Sequence, residues 1–210
     1  WGKIHLDTLS KLRSLKDDGH NVVLVTGRSS VEGYLLSIFG GLTHLSVGEN
    51  GGAITFGDTI QHKLIGKKGE CIHALATIQS KLNAEVKEKP VFPRMTEVVL
   101  ERTFEIEHAK KIVDENNLNV NLTDSGYAYH INSKYVDKGS GFLDALKILE
   151  TDVDDAIAAA LRRRQGAAAP GQAGEGGPDA RPQGARAAPC LLRGGLLRGQ
   201  QRRPRAHRAR

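Results

Sequence analysis

The sequence holds two cysteines in 210 residues, Cys71 and Cys190. They lie on either side of an abrupt change in composition, so a disulfide framework is not expected and a reducing, cytosolic setting is the default. No apolar run approaches the roughly 18 to 20 residues that would span a membrane, and no pattern of basic, apolar and small residues opens the chain as a signal peptide would. A soluble cytoplasmic protein is therefore expected. Of the eight histidines, those at 44, 62, 73, 108 and 130 are scattered without metal-ligand spacing, which points to structural or solvated roles. From Leu161 to Arg210 there is no Ile, Val, Ser, Thr, Lys, Asn or aromatic residue. A stretch so poor in burial-competent side chains cannot offset its own ordering entropy, so it is expected to lack persistent structure.

Charge follows the same break. The tail has 12 arginines against Glu175 and Asp179, close to +10, so the chain's net +6 leaves residues 1–160 near −4. Nucleic acid is thus expected as a partner only through non-specific tail charge, with an affinity that salt would abolish. The joint excess of Arg, Ala, Gly and Pro, all with GC-rich codons, and its sudden onset favour a shifted reading frame over an evolved basic arm. Trp1 in place of Met suggests that the chain is a fragment.

The 39% hydrophobic content suffices for a core. "HLDTLSKLRSLKDDGH" sets Leu6, Leu9, Leu12 and Leu15 at helical spacing with Gly19 as a stop. Val22 to Val25 are apolar at every position, as in a parallel strand covered on both faces, and Thr26-Gly27 closes it. "SSVEGYLLSIFGG" predicts a helix with Ser29 or Ser30 as N-cap and Gly40 as exit, and "THLSVGENGG" a short strand running into a turn. The style then changes. "AITFGDTIQHKLI" predicts a hairpin, residues 67–82 a helix, "TEVVLER" a strand, "EIEHAKKIVDENN" a helix, and "VNLTDSGYAYHIN" a hairpin turning on Asp124, Ser125 and Gly126. A helix begins again near Lys138, and "DVDDAIA" predicts the start of another strand. The expected organisation is an α/β first part (1–52), an inserted small α+β unit (53–132), a second α/β part (133–160) and the tail (161–210).

Ligands of open parallel sheets bind beyond the carboxyl ends of strands, where helix amino termini point N–H groups outward. Thr26, with a hydroxyl donor, and Gly27, with an approachable backbone, stand at such an end, and Lys138 at a helix start adds a compact positive charge. Together they suit a phosphate. Each also has an ordinary explanation: a threonine after a strand commonly makes a turn, "GENGG" is a tight turn, and most lysines are solvated.

The ordered set of TGR after one strand, GENGG after a second, an α+β insertion, and DKGSGF at a helix start resembles the haloacid-dehalogenase superfamily of phosphatases. Within it, the set is most similar to archaeal-type phosphoglycolate phosphatases, over residues 1 to about 158. The resemblance implies an incomplete Rossmann-like core carrying the α+β unit at 53–132 as a cap, and a Mg²⁺-dependent phosphatase working through an aspartyl-phosphate. It casts Thr26 as the hydroxyl holding the phosphoryl group, Gly27 and Asn50 as substrate-binding, and Lys138 as the lysine that neutralises phosphate charge. The substrate implied is a small phosphorylated metabolite, 2-phosphoglycolate first, with a sugar phosphate or phosphate binding without turnover as alternatives; a homodimer is compatible with it. The superfamily's Asp-x-Asp and Gly-Asp-x-x-x-Asp stretches are not found, and Asp152, Asp154 and Asp155 precede the expected strand, so no metal ligand is assigned. The 210-residue chain is accordingly expected to be inactive. Arg94, Arg102 and Tyr129 could meet a substrate carboxylate, though surface or packing roles are favoured.

Overall fold

The computed structural model describes residues 4–159. Helix α1 (Leu6–Asp17) leads to strand β1 (Leu24–Val25), helix α2 (Ser30–Gly40) and strand β2 (Leu45–Gly48), and a 3-10 turn at Glu49–Gly51 follows. Then come the hairpin β3 (Ala53–Phe56) and β4 (Gln61–Leu64), helix α3 (Lys68–Lys81), strand β5 (Val98–Leu100), helix α4 (Ile106–Glu115), the hairpin β6 (Val120–Asp124) and β7 (Tyr129–Ser133), and helix α5 (Lys138–Ile148). The chain divides after Val153, and the elements named so far form one compact unit. No helix among the described residues is long and apolar enough to cross a membrane.

The first sheet has the order β1-β2-β3-β4, with β1 and β2 parallel and the other pairs antiparallel. Side chains of a strand alternate between faces, and β2 shows both being used. Ser46 points to α2, where a Cβ at Gly33 would come within 2.1 Å of its hydroxyl, while Val47 points to α5, where a Cβ at Gly141 would come within 2.8 Å of its Cγ1. All four residues of β2 are consequently buried. Leu45, Val47, Ile54 and Ala145 centre this core, flanked by Val23, Val25, Phe56 and Ile148. Helix α2 begins at the expected place: Ser29 and Glu32 form a capping box, and Gly41, in the left-handed conformation at φ 68°, ends it one residue beyond the exit expected at Gly40.

The second sheet, order β5-β7-β6, is wholly antiparallel. Helices α3 and α4 pack on it through Leu75, Ile78, Ile112, Val113 and their neighbours against Val98, Leu100, Leu122 and Ile131. A helix pair on one face of an antiparallel sheet makes an α+β layer, and this part of the chain is called the cap below. The hairpin at residues 53–64, expected to open that cap, instead pairs with β2 and extends the first sheet. Hydrophobic alternation specifies a hairpin but not which sheet receives it.

Three further expectations differ. Val22 to Val25 are half-buried rather than covered, and only Leu24 and Val25 pair, because β1 is an edge of its sheet. The leucine stripe of α1 has no buried member, and Leu6 stays 75% exposed; α1 meets the body where Leu9 lies against Gly40 and where Arg13 Nε donates to the Gly40 carbonyl at 3.1 Å. The expected strand after Asp152 is a 3-10 turn at Val153–Asp155 followed by irregular backbone, with Ile157 92% exposed; a strand needs a ladder partner, and among the described residues none pairs here. The tail lies outside the described residues.

Candidate active site

Beyond β1 the backbone keeps one more rung: Thr26 N donates to Val47 O at 2.8 Å. The loops after β1 and β2 are then laced together, Glu49 N donating to Arg28 O at 2.7 Å and Asn50 N to Thr26 O at 3.2 Å. Thr26 Oγ1 accepts from Arg28 N at 3.1 Å, the ordinary turn role of a threonine after a strand, and its own proton remains available to donate. Asn50 sits in the left-handed region (φ 55°, ψ 28°), which asparagine tolerates better than most residues. That conformation lays its carboxamide over Gly27, where an added Cβ would stand 2.9 Å from Asn50 Oδ1. Residue 27 is glycine because the roof above it is this close.

Lys138 is the first residue of α5, whose start is fixed by a capping box between Asp137 and Ser140. The turn after β2 backs onto that start. Asn50 and Lys138 line one cleft of about 410 Å³ together with Thr123, Ser125 and His130 of the cap and the carboxylates of Asp124, which pairs with Arg102, and Asp137, which caps α5. Asn50 thus belongs to both neighbourhoods, lying against Gly27 and lining the cleft with Lys138. Lys138 is exposed, and among the described residues its ammonium has no hydrogen-bond or ion-pair partner. An unpartnered cation at a helix amino terminus, beside asparagine and hydroxyl groups, favours an anion.

Two fully buried carboxylates join core to cap here. Glu49, from the turn after β2, accepts from Met95 N (3.0 Å), Thr96 N (2.7 Å) and Thr96 Oγ1 (2.8 Å). Glu97, just before β5, accepts through Oε2 from Asn50 Nδ2 (3.1 Å) and Asn132 Nδ2 (2.9 Å) and faces His130 Nδ1 at 3.2 Å. A carboxylate only accepts, so the proton belongs on His130 Nδ1, and Nε2 meets Ser125 Oγ at 3.1 Å. Arg94 Nη1 donates to the Gly27 carbonyl at 3.2 Å.

Of the residues the sequence suggested for the site, Thr26, Gly27 and Asn50 are brought together, and Lys138 shares the cleft with Asn50. Arg94 reaches this region from the cap, whereas Arg102 pairs with Asp124 at 2.9 Å and Tyr129 donates to the Phe104 carbonyl at 2.9 Å. His44 pairs with Asp58 at 2.7 Å and His62 contacts Thr55 Oγ1 at 3.0 Å. His130, read from the sequence as one of five scattered histidines, and Glu97, Glu49 and Asn132 were not legible as site residues. Their one signal is polarity inside a strand pattern: His130 and Asn132 both fall within the fully buried β7. Among the described residues no group of three or more His, Cys, Asp or Glu side chains could hold a metal ion.

No family model matches the chain. It is 56% identical over 157 residues to a phosphoglycolate phosphatase of Nitrosopumilus maritimus, covering 75% of this chain and 67% of that one. A phosphoglycolate phosphatase of Methanosarcina acetivorans is 31% identical over 158 residues, with 74% and 67% covered. Among solved structures, a Thermoplasma acidophilum protein superposes with a TM-score of 0.63 at 19% identity, covering 73% of this chain and 67% of that one. A haloacid dehalogenase-like hydrolase from B. subtilis superposes at 0.53 and 16% identity, covering 73% and 75%. The fold is shared with haloacid dehalogenase-like hydrolases, and the chain belongs to the phosphoglycolate phosphatases.

Proposed function

We propose that the cleft between Lys138 and the cap is the substrate site of a phosphatase for a small phosphorylated metabolite, 2-phosphoglycolate, which is cleaved to glycolate and phosphate. The observation that carries this is the placing of Asn50, against Gly27 on one side and lining the cleft with Lys138 on the other. In this scheme Thr26 donates its hydroxyl proton to a phosphoryl oxygen, and Gly27 lets the phosphate approach its backbone. Lys138 then neutralises charge where a dianion must be attacked by another anion, which is where fixed cations contribute most. The relatives' names supply the substrate. An aspartyl-phosphate intermediate and Mg²⁺ are the superfamily's chemistry; no residue described here is assigned as nucleophile or metal ligand.

Calorimetric titration of the 210-residue chain tests the site. Inorganic phosphate and 2-phosphoglycolate should bind, and Lys138→Ala should weaken binding about 10- to 100-fold, as removal of a charged hydrogen-bond partner does. Binding indifferent to Lys138 refutes the assignment. A hexose phosphate binding more tightly than 2-phosphoglycolate would replace the substrate proposed. Release of phosphate by this chain in Mg²⁺, lost in Lys138→Ala, would place the nucleophile among its own residues.

A further inference from the structure

The cap residue Glu97 is fully buried, yet its carboxylate takes part in two routes that both end on Gly27 of the core. One runs through Asn50, whose Nδ2 donates to Glu97 Oε2 at 3.1 Å, so that Oδ1 is turned over Gly27. The other runs through Arg94, whose Nε lies 3.6 Å from Glu97 Oε1 while its Nη1 donates to the Gly27 carbonyl at 3.2 Å. Glu97 Oε1 and Arg94 Nε are buried without a hydrogen-bond partner of their own. The load is therefore one-sided. Two amide donors and the His130 ring nitrogen meet at Oε2, whereas Oε1 faces only the arginine at a distance too long for a hydrogen bond.

We propose that Glu97 is a positioning residue for the phosphate-binding loop: from the cap, it fixes Asn50 above Gly27 and so sets the affinity of the core for phosphate. The inference rests on the phosphate site proposed above. Two physical effects are involved. A side-chain amide anchored at its NH₂ end cannot rotate away from Gly27, so the floor of the cleft is preorganised before a ligand arrives. The donors gathered on Glu97 also compensate a negative charge that would otherwise stand bare near an incoming dianion.

A double-mutant cycle on phosphate binding separates positioning from mere support of the fold. Glu97→Gln keeps the shape but has one acceptor oxygen, so either Arg94 or the Asn50–Asn132 pair faces an NH₂ group. Asn50→Gly removes the carboxamide and accepts the left-handed backbone without strain. Each single variant should weaken binding of inorganic phosphate about tenfold, and the double variant no more than about tenfold, because both remove the same element. A hundredfold loss in the double variant, or no loss in Glu97→Gln, overturns the inference. The unmodified chain supplies a second measurement, independent of whether the variants fold: the Asn50 side-chain amide, identified by its disappearance in Asn50→Gly or in a selectively labelled sample, should exchange with solvent more than tenfold slower than that of exposed Asn83. Fast exchange at Asn50 equally overturns it. Failure of the unmodified chain to bind phosphate removes the site itself, whereas binding that ignores Glu97 removes only the role proposed for it.

Discussion

Replacement of Gly51 by alanine tests how tightly the start of α5 is seated on the turn after β2. Gly51 has φ +105°, a conformation that L side chains rarely adopt, and an added Cβ would lie 1.8 Å from the Asp137 carbonyl oxygen and 2.5 Å from its carbon. The contact is backbone on backbone, so no rotamer relieves it; Gly141 is equally close from the other side, its own Cβ position lying 2.6 Å from Gly51 Cα. Backbone strain of this type costs about 1–3 kcal/mol, and overpacking about 1–3 kcal/mol more. Gly51→Ala should thus lose about 2–6 kcal/mol, and at roughly 2–4 °C per kcal/mol its melting temperature should fall on the order of 10 °C. Two other glycines separate the causes. Gly126 (φ +75°) has nothing within 4 Å of its Cβ position, so Gly126→Ala carries strain alone, about 1–2 kcal/mol. Gly69, inside α3 and equally open, should become more stable by about 0.5–1 kcal/mol as alanine. Thermal and urea unfolding of the three variants give the ranking. Since the methyl strikes Asp137, Gly51→Ala should also displace Lys138 and weaken phosphate binding. A Gly51→Ala protein no less stable than Gly126→Ala would refute the tight seating of α5 inferred from the geometry.

Two other outcomes are expected. Glu49→Ala leaves two backbone N–H groups and the Thr96 hydroxyl buried without their acceptor, so urea unfolding should register a loss of about 3–5 kcal/mol; a loss below about 1 kcal/mol would mean that water replaces the carboxylate. Burial pushes the Cys71 thiol from 9.0 up to about 11, so in a Cys190→Ser background iodoacetamide at pH 8 should label it far more slowly in the native protein than in urea. Because the folded protein holds that proton more tightly than the unfolded chain, its contribution to stability is complete below pH 9 and is lost as pH rises from about 9 to 11. Native labelling at the denatured rate, or stability flat across that interval, would contradict the burial.

Most local elements were legible from the sequence because they depend on neighbours along the chain. Ser29 and Glu32 are three residues apart and cap a helix wherever it lies, Thr26-Gly27 follows an apolar run, and Lys138 follows the N-cap Asp137. The residues that join core to cap were not legible, since each pair is remote in sequence: Glu49 and Thr96 are 47 residues apart, Asn50 and His130 are 80. A glutamate in "TEVVLER" reads as the solvated end of a strand, and nothing near it in the chain announces that Asn50, Asn132 and His130 will converge on it.

Sequence alone therefore determined the kinds of most elements and their order, because periodicity and capping act over a few residues. Tertiary structure alone decided that residues 53–64 extend the first sheet and that Glu49 and Glu97 are buried. The physical reason is that burial belongs to what packs against a residue: an exposed carboxylate needs only water, whereas these two are tolerated inside because donors from distant segments meet them there.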